Sequence, residues 1–184
     1  EEFRIQLTQQ LVERGEKPHS IPIGGSTAIG AVGYALAFDE IIAQCSTQNF
    51  TADAIVFTTS SGGTHAGLVA GLARARARDP LKQLPKIIGI GVAKGTALSS
   101  RSIKDLANET LTLLNETSRA ADDDVVIDPN YMGSDYAVAT QAASDAAKWA
   151  AHRGAWVLDA VYSAKGFSGL LGLDAKNEFR SNAN

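Results

Sequence analysis

Residues 54–71 read AIVFTTSSGGTHAGLVAG. An apolar run rich in Ile, Val, Phe and Thr reaches Ser60-Ser61-Gly62-Gly63-Thr64, and a helical pattern begins at once. The reading is a strand, a tight loop of glycine and hydroxyl residues, and a helix N-terminus. Such a loop leaves main-chain N–H groups unpaired and aimed at one spot, where the helix dipole adds partial positive charge. The glycines let the backbone approach closely, and the hydroxyls supply further donors. The natural guest is a phosphate group. No Lys-Ser/Thr follows at P-loop spacing and no G-x-G-x-x-G is present, so the guest would be a monophosphate cofactor or substrate. Plain turn chemistry is the competing reading.

Working outward, Glu1 to Arg14 reads as an amphipathic helix with Phe3, Leu7 and Leu11 on one face and Gly15 as a stop. His19 to Ile23 reads as a short strand before a second glycine turn, Gly24-Gly25-Ser26-Thr27. A helix follows from Ala28 to about Gln44, with Gly30, Ala31, Gly33 and Ala35 small enough for close packing on a sheet. Strands are expected at 54–59, 86–92, 125–127 and 155–159. Helices are expected at 64–78, from Ser99 or Ser100 to Asn115, 138–152 and 165–176. The alternation predicts an α/β fold of three layers: a mostly parallel sheet with helices on both faces. Right-handed crossovers would gather the turns 24–27, 60–64 and 160–163, each read as following a strand, at one crevice.

The chain has 184 residues, 45% apolar and 20% charged, with a net charge of −3. These values fit one globular domain and argue against nucleic acid or an anionic membrane as partner. Arg74, Arg76 and Arg78 fall in the last turns of a helix, where cations suit the dipole. Cys45 is the only cysteine, which points to a reducing compartment and a cytoplasmic location. His19, His65 and His152 show no metal-ligand spacing. No apolar stretch reads as long enough to span a bilayer, and no signal peptide is visible. The first residue is Glu rather than Met, as expected of an excised or truncated piece.

Four stretches carry a family resemblance. Ile21-Pro22-Ile23-Gly24-Gly25-Ser26, with Gly30-Ala31-Val32-Gly33-Tyr34 in the next helix, resembles the IP-x-GGSN-x-LG-x-x-GY segment of the D-cysteine desulfhydrase and 1-aminocyclopropane-1-carboxylate deaminase family. Ser61 to Leu68 resembles that family's GSGGTQAGL. Tyr131 to Tyr136 is similar to its Y-x-G-x-GYG, although Asp135 and Ala137 replace the glycines that flank the tyrosine. Leu158 to Leu170 resembles its LDPVY-[TE]-GKA-x-x-GL. The four come in the same order and span residues 18 to 175.

The resemblance implies a pyridoxal-5′-phosphate enzyme of the tryptophan-synthase-like fold. It implies that Ser61, Gly62, Gly63 and Thr64 hold the cofactor phosphate and that Ser163 faces the pyridine nitrogen. A hydroxyl there would suit a neutral ring, and a carboxylate a protonated one; Ser163 therefore resembles the desulfhydrase side of the family. It further implies that Tyr162 and Tyr136 lie by the substrate as the catalytic candidates, against the plainer readings of a core cap and a surface turn residue. His65 stands where the family has Gln and Thr27 where it has Asn. Lys165 reads as a structural or solvated cation.

The family's chemistry needs a lysine that carries the cofactor, and its motif lies upstream of the segments matched here. No such motif occurs, and neither Lys94, Lys148 nor Lys165 has a local argument for replacing it. Residues 1–184 are thus expected to be a single, partial large cofactor-binding domain with the small substrate domain largely absent. The expected activity is that of a lyase or deaminase on a small amino acid such as D-cysteine, silent in this chain alone. A non-catalytic phosphate-binding module and a ligandless remnant are the alternatives. A homodimer mate or a complementing fragment is the expected protein partner.

Overall fold

Side chains alternate across a strand, and β2 (Lys86–Gly91) uses both faces: Ile87 joins one apolar cluster, Ile88 and Ile90 another. A strand buried on both sides needs helices on both sides. The computed structural model describes residues 2–93 and 99–179. In chain order these form α1 (Glu2–Glu13), α2 (Ala28–Thr47), β1 (Ala54–Thr59), α3 (Gly63–Arg78), β2, α4 (Ser100–Leu113), β3 (Val126–Asp128), α5 (Gln141–Gly154) and α6 (Ser163–Ala175). The sheet is parallel in the order β1-β2-β3, with Val56 opposite Ile88 and Gly89 opposite Ile127. The cluster on one face joins Ile87, Ile55 and Phe57 to Phe38 of α2, Val69 of α3 and Ile103 and Leu111 of α4. On the other face Leu173 of α6 packs against Ile88 and Ile90. Burial of each large core side chain such as Phe38 contributes about 1.5–3 kcal/mol.

The helix starts follow local chemistry. Thr27 Oγ1 accepts from Gly30 N at 3.1 Å and begins α2, so the residue standing in the place of Asn is an N-cap. Ser99 Oγ takes the Ser102 amide at 3.1 Å and Thr140 Oγ1 the Ala143 amide at 3.1 Å. The Thr140 cap starts α5 three residues later than the expected Val138.

Several expectations are corrected. Residues 19–23 form no strand; Pro18 and Pro22 remove two ladder donors, and Ile23–Gly25 closes as a short 3-10 turn with Gly24 at φ 74°. Residues 155–159 form no strand either. Ala155 takes a left-handed C-cap of α5, which turns the chain away from the sheet and leaves Val157 97% exposed. Of the three turns, only 60–64 therefore follows a strand. Of the small residues of α2, Ala31 and Ala35 face α3 rather than the sheet, while Gly30 and Gly33 are exposed: a Cβ on Gly67 would lie 2.4 Å from Ala31 O, and one on Gly71 2.9 Å from Ala35 O.

The α2 helix is, by length and composition, apolar enough to cross a bilayer, contrary to the expectation, yet Ala31, Ala35 and Phe38 are fully buried against its neighbours. The arginine run is paired with carboxylates rather than only placed in a dipole. Arg74 reaches Asp39 and Glu116, Arg76 forks onto Asp124 at 2.6 and 2.7 Å, and Arg78 meets Asp39 and Glu116. The α1 helix buries none of its residues, so its apolar face is uncovered among the described residues.

Candidate functional site

The N-terminus of α3 is built to present bare amides. Gly62, its N-cap, lies at φ 87°, a conformation that glycine adopts at little cost, and no side chain caps the helix. The first helical bond runs from Ala66 N to Gly62 O at 2.8 Å. The amides of Gly63, Thr64 and His65 therefore have no helical acceptor. The 24–27 turn closes over this loop. A Cβ on Gly24 would lie 2.1 Å from Ser61 Oγ, and one on Gly63 would lie 3.0 Å from Ser26 Oγ. Ser26 Oγ is buried without a hydrogen-bond partner. A buried hydroxyl left unpaired costs about 1–3 kcal/mol. Bare amides, a positive helix end and an unspent hydroxyl suit a tetrahedral oxyanion, and these residues fit a phosphate. The sequence reading has Ser26 in a glycine turn and in the Ile21–Ser26 resemblance but gives it no part in holding the phosphate.

The turn at 160–163 meets the same end of β1. Tyr162 Oη donates to Thr58 O at 2.9 Å, and Thr58 also leaves no room for a Cβ on Gly166. Burial pushes the Tyr162 phenol upward, and the nearby phenols of Tyr136 and Tyr34 add to the shift. The turns at 24–27, 60–64 and 160–163 do gather around the C-terminal end of β1.

Ser163 donates its hydroxyl proton to Asp159 and accepts from Asp159 N at 2.8 Å. Asp159 also takes the amides of Val161, Tyr162 and Ser163 at 3.0, 2.7 and 2.9 Å. Hydrogen bonds from Ser163, followed by those from Tyr162 and Val161, hold its carboxyl down at about 2. Asp159 is thereby the working cap of α6, a role the sequence did not announce.

His65 is fully buried in the first turn of α3, edge-on to Phe57 with ring centroids 5.0 Å apart. Neither ring nitrogen has a partner, and burial pushes its pKa down to about 4. It is a neutral packing residue. Lys165, expected as structural or solvated, is structural: it has no exposed surface and its ammonium is bound to main-chain carbonyls. Lys148 is exposed on α5, 3.9 Å from Asp145. Lys94 lies outside the described residues.

Comparison with known proteins bears on this arrangement. The family model described as pyridoxal-phosphate dependent enzyme matches residues 2–184. A 1-aminocyclopropane-1-carboxylate deaminase of Methylobacterium nodulans is 33% identical over 168 residues, 90% of this chain and 48% of its own length. A D-cysteine desulfhydrase of Yersinia enterocolitica is 32% identical over 172 residues, 93% of this chain and 49% of its own. A crystal structure of an ACC deaminase homologue superposes with a TM-score of 0.81 at 28% identity, covering 97% of this chain and 51% of that one. The chain spans about half the length of the curated relatives it matches.

Proposed function

The chain belongs to the family of pyridoxal-phosphate dependent enzymes, and from that premise we propose that the α3 cup is its cofactor-phosphate site. Ser61, Gly62, Gly63 and Thr64 would hold the phosphate, with Ser26 rotating its hydroxyl toward it. Ser163 would meet the ring nitrogen once its hydroxyl proton swings away from Asp159, and Tyr162 and Tyr136 would border the substrate. The observation that carries this reading is the uncapped α3 N-terminus at Gly62 with the partnerless Ser26 hydroxyl packed against it. Bound cofactor supplies an electron sink for the substrate's α-carbon. Tyr162, its proton resting on Thr58, offers a substrate ammonium or hydroxyl an acceptor.

The parent activity we infer is elimination and deamination of a small amino acid, D-cysteine-like, giving a 2-oxo acid, ammonia and sulfide in the cytoplasm. The domain reading goes with it: residues 1–184 act as a partial cofactor-binding domain that binds without turning over by itself. The engaged Lys165 and the exposed Lys148 favour that silence. They also support the second reading, a phosphate-binding module that works without covalent chemistry.

Calorimetric titration with inorganic phosphate and with pyridoxal phosphate tests the cup. The chain should bind both, and Gly62→Asp, which puts a carboxylate at the helix end, should bind neither. Equal weak binding by both proteins removes the reading. Pyruvate and ammonia release from D-cysteine, by this chain alone and mixed with a lysine-bearing fragment of the Yersinia relative, separates the enzyme from the module. Release by the mixture only supports a partial enzyme; none from either supports the module.

A further inference from the structure

Lys165 lies in the first turn of α6 with 0% of its surface exposed. Its Nζ donates to Met132 O at 2.7 Å, to Asp135 O at 2.9 Å and to Tyr136 O at 2.8 Å. An ammonium has three N–H groups and no acceptor, so these carbonyls use all of its capacity, and among the described residues no carboxylate shares it. A buried cation surrounded by main-chain carbonyls has the donor set that potassium and ammonium ions take from proteins. The turn is shaped for it. Gly133, at φ 79°, reverses the chain so that carbonyls on both sides converge, and a Cβ there would strike Thr140. At the head of the turn Tyr131 lies against Gly172 of α6. At its foot Tyr136 N is held by Asp135 Oδ1 at 2.7 Å. Tyr136 is 43% exposed, and its carbonyl is one of the three that Lys165 holds.

We propose that the Lys165 ammonium is a tethered monovalent cation that folds the Met132–Tyr136 turn and thereby positions Tyr136. It is a positioning residue. Without its charge the three carbonyls face a buried space with no donor, an arrangement that opens the turn unless a free cation enters. Lys165→Ala should therefore acquire a dependence on small monovalent cations that the parent chain lacks. Lys165→Met, which refills the space with an apolar stem, should not be rescued. The cation claim stands on geometry alone; its consequence for ligand binding rests on the function proposed above.

Hydrogen exchange read by mass spectrometry over residues 131–137 tests it, in tetramethylammonium, potassium and ammonium chlorides of equal ionic strength. In tetramethylammonium, Lys165→Ala should exchange this segment at least about tenfold faster while α3 and β2 stay protected. Ammonium or potassium should restore protection in Lys165→Ala but not in Lys165→Met. Unchanged exchange, or a rise that no cation reverses, overturns the proposal. Should Lys165→Ala lose protection throughout, its melting temperature decides. A rise of several degrees with ammonium but not tetramethylammonium, absent from the parent chain, upholds the proposal; an equal response of both proteins overturns it. Pyridoxal phosphate titration of the same variant reports separately on the site. Weaker binding in tetramethylammonium that ammonium repairs, with inorganic phosphate affinity unchanged, supports the link to Tyr136. Restored exchange with no change in affinity upholds the cation and separates the Met132–Tyr136 turn from cofactor binding.

Discussion

Gly24 and Ser61 meet so closely that a methyl group on the glycine would lie 2.1 Å from the serine Oγ and 2.5 Å from its Cβ. Gly24 also sits at φ 74°. A Gly24→Ala side chain thus meets both an unfavourable backbone region and a clash against the cup. The left-handed penalty is about 1–2 kcal/mol, and the clash adds to it. The expected result is a melting point several degrees lower and loss of phosphate binding, read by calorimetry on one sample. A variant with unchanged phosphate affinity would show that the 24–27 turn does not shape the cup.

Gly71→Ala tests the seam between α2 and α3. The added methyl would stand 2.4 Å from Phe38 Cβ and 2.9 Å from Ala35 O, and backbone cannot step aside as a flexible side chain can. Overpacking of this kind costs about 1–3 kcal/mol. Urea unfolding should show a lower midpoint with an unchanged slope. A neutral or stabilising result, as expected of Gly to Ala in an open helix, would mean that the seam is looser than drawn.

His65 sets an acid limit on stability. Its pKa falls from 6.5 to about 4 on folding because burial disfavours the imidazolium. The unfolded chain therefore takes a proton that the folded chain refuses. Stability contributed by this residue is fully present above pH 6.5, declines as pH falls from 6.5 to about 4, and levels off below. The shift corresponds to at most about 3 kcal/mol. Urea unfolding at pH 7.5, 5.5 and 4.0 should show this slope, and His65→Gln should flatten it. The depressed Asp159 carboxyl acts lower, between 3.8 and about 2, so the two windows separate. An equally steep fall in both proteins would assign the loss to other groups.

Asp124 is buried, forked by Arg76 and bonded to Ala121 N at 2.7 Å. Arg76→Ala would leave that carboxylate without its cation, and Asp124→Ala would strip both the fork and the turn bond. Removing one member of a buried pair costs about 3–5 kcal/mol; the half-exposed Arg76 places this pair toward or below the lower end. The double variant should lose less than the sum of the two single losses, measured by denaturant unfolding as a cycle. Strict additivity would show that the fork contributes no coupling.

Asp159→Ala removes the acceptor for three amides and for the Ser163 hydroxyl. Loss of a helix cap costs about 0.5–2 kcal/mol. Helix α6 should fray from its first turn, with faster amide exchange at 161–164 and a lower melting point. Protection retained there would show that Tyr162 on Thr58 holds the start of the helix without the cap.

The parallel α/β plan was legible because Ala54–Gly71 writes strand, turn and helix without interruption, and because Lys86–Gly91 is apolar on both faces. The two false strands had strand-like composition but lacked partners. Pro18 and Pro22 cannot donate to a ladder, and Ala155 turns the chain before Trp156 can pair, so Trp156 packs on Phe167 instead. Side-chain commitments were less readable. Nothing in Leu158-Asp159-Ala160 says that the aspartate caps α6, because a cap shows in sequence only as a common residue type before a helix. Lys165 could be read as structural or solvated with nothing local to decide, because its acceptors are carbonyls, which every residue carries, about thirty positions away.

The contact of Gly67 and Gly71 with Ala31 and Ala35 has a mechanical meaning. Main chain touches main chain there, so no rotamer is available to absorb a small displacement. The two helices must pivot together, like a pair of rods soldered side by side. Thr27 starts one rod and Gly62 the other, so this backbone contact helps to set the spacing of the 24–27 and 60–64 turns.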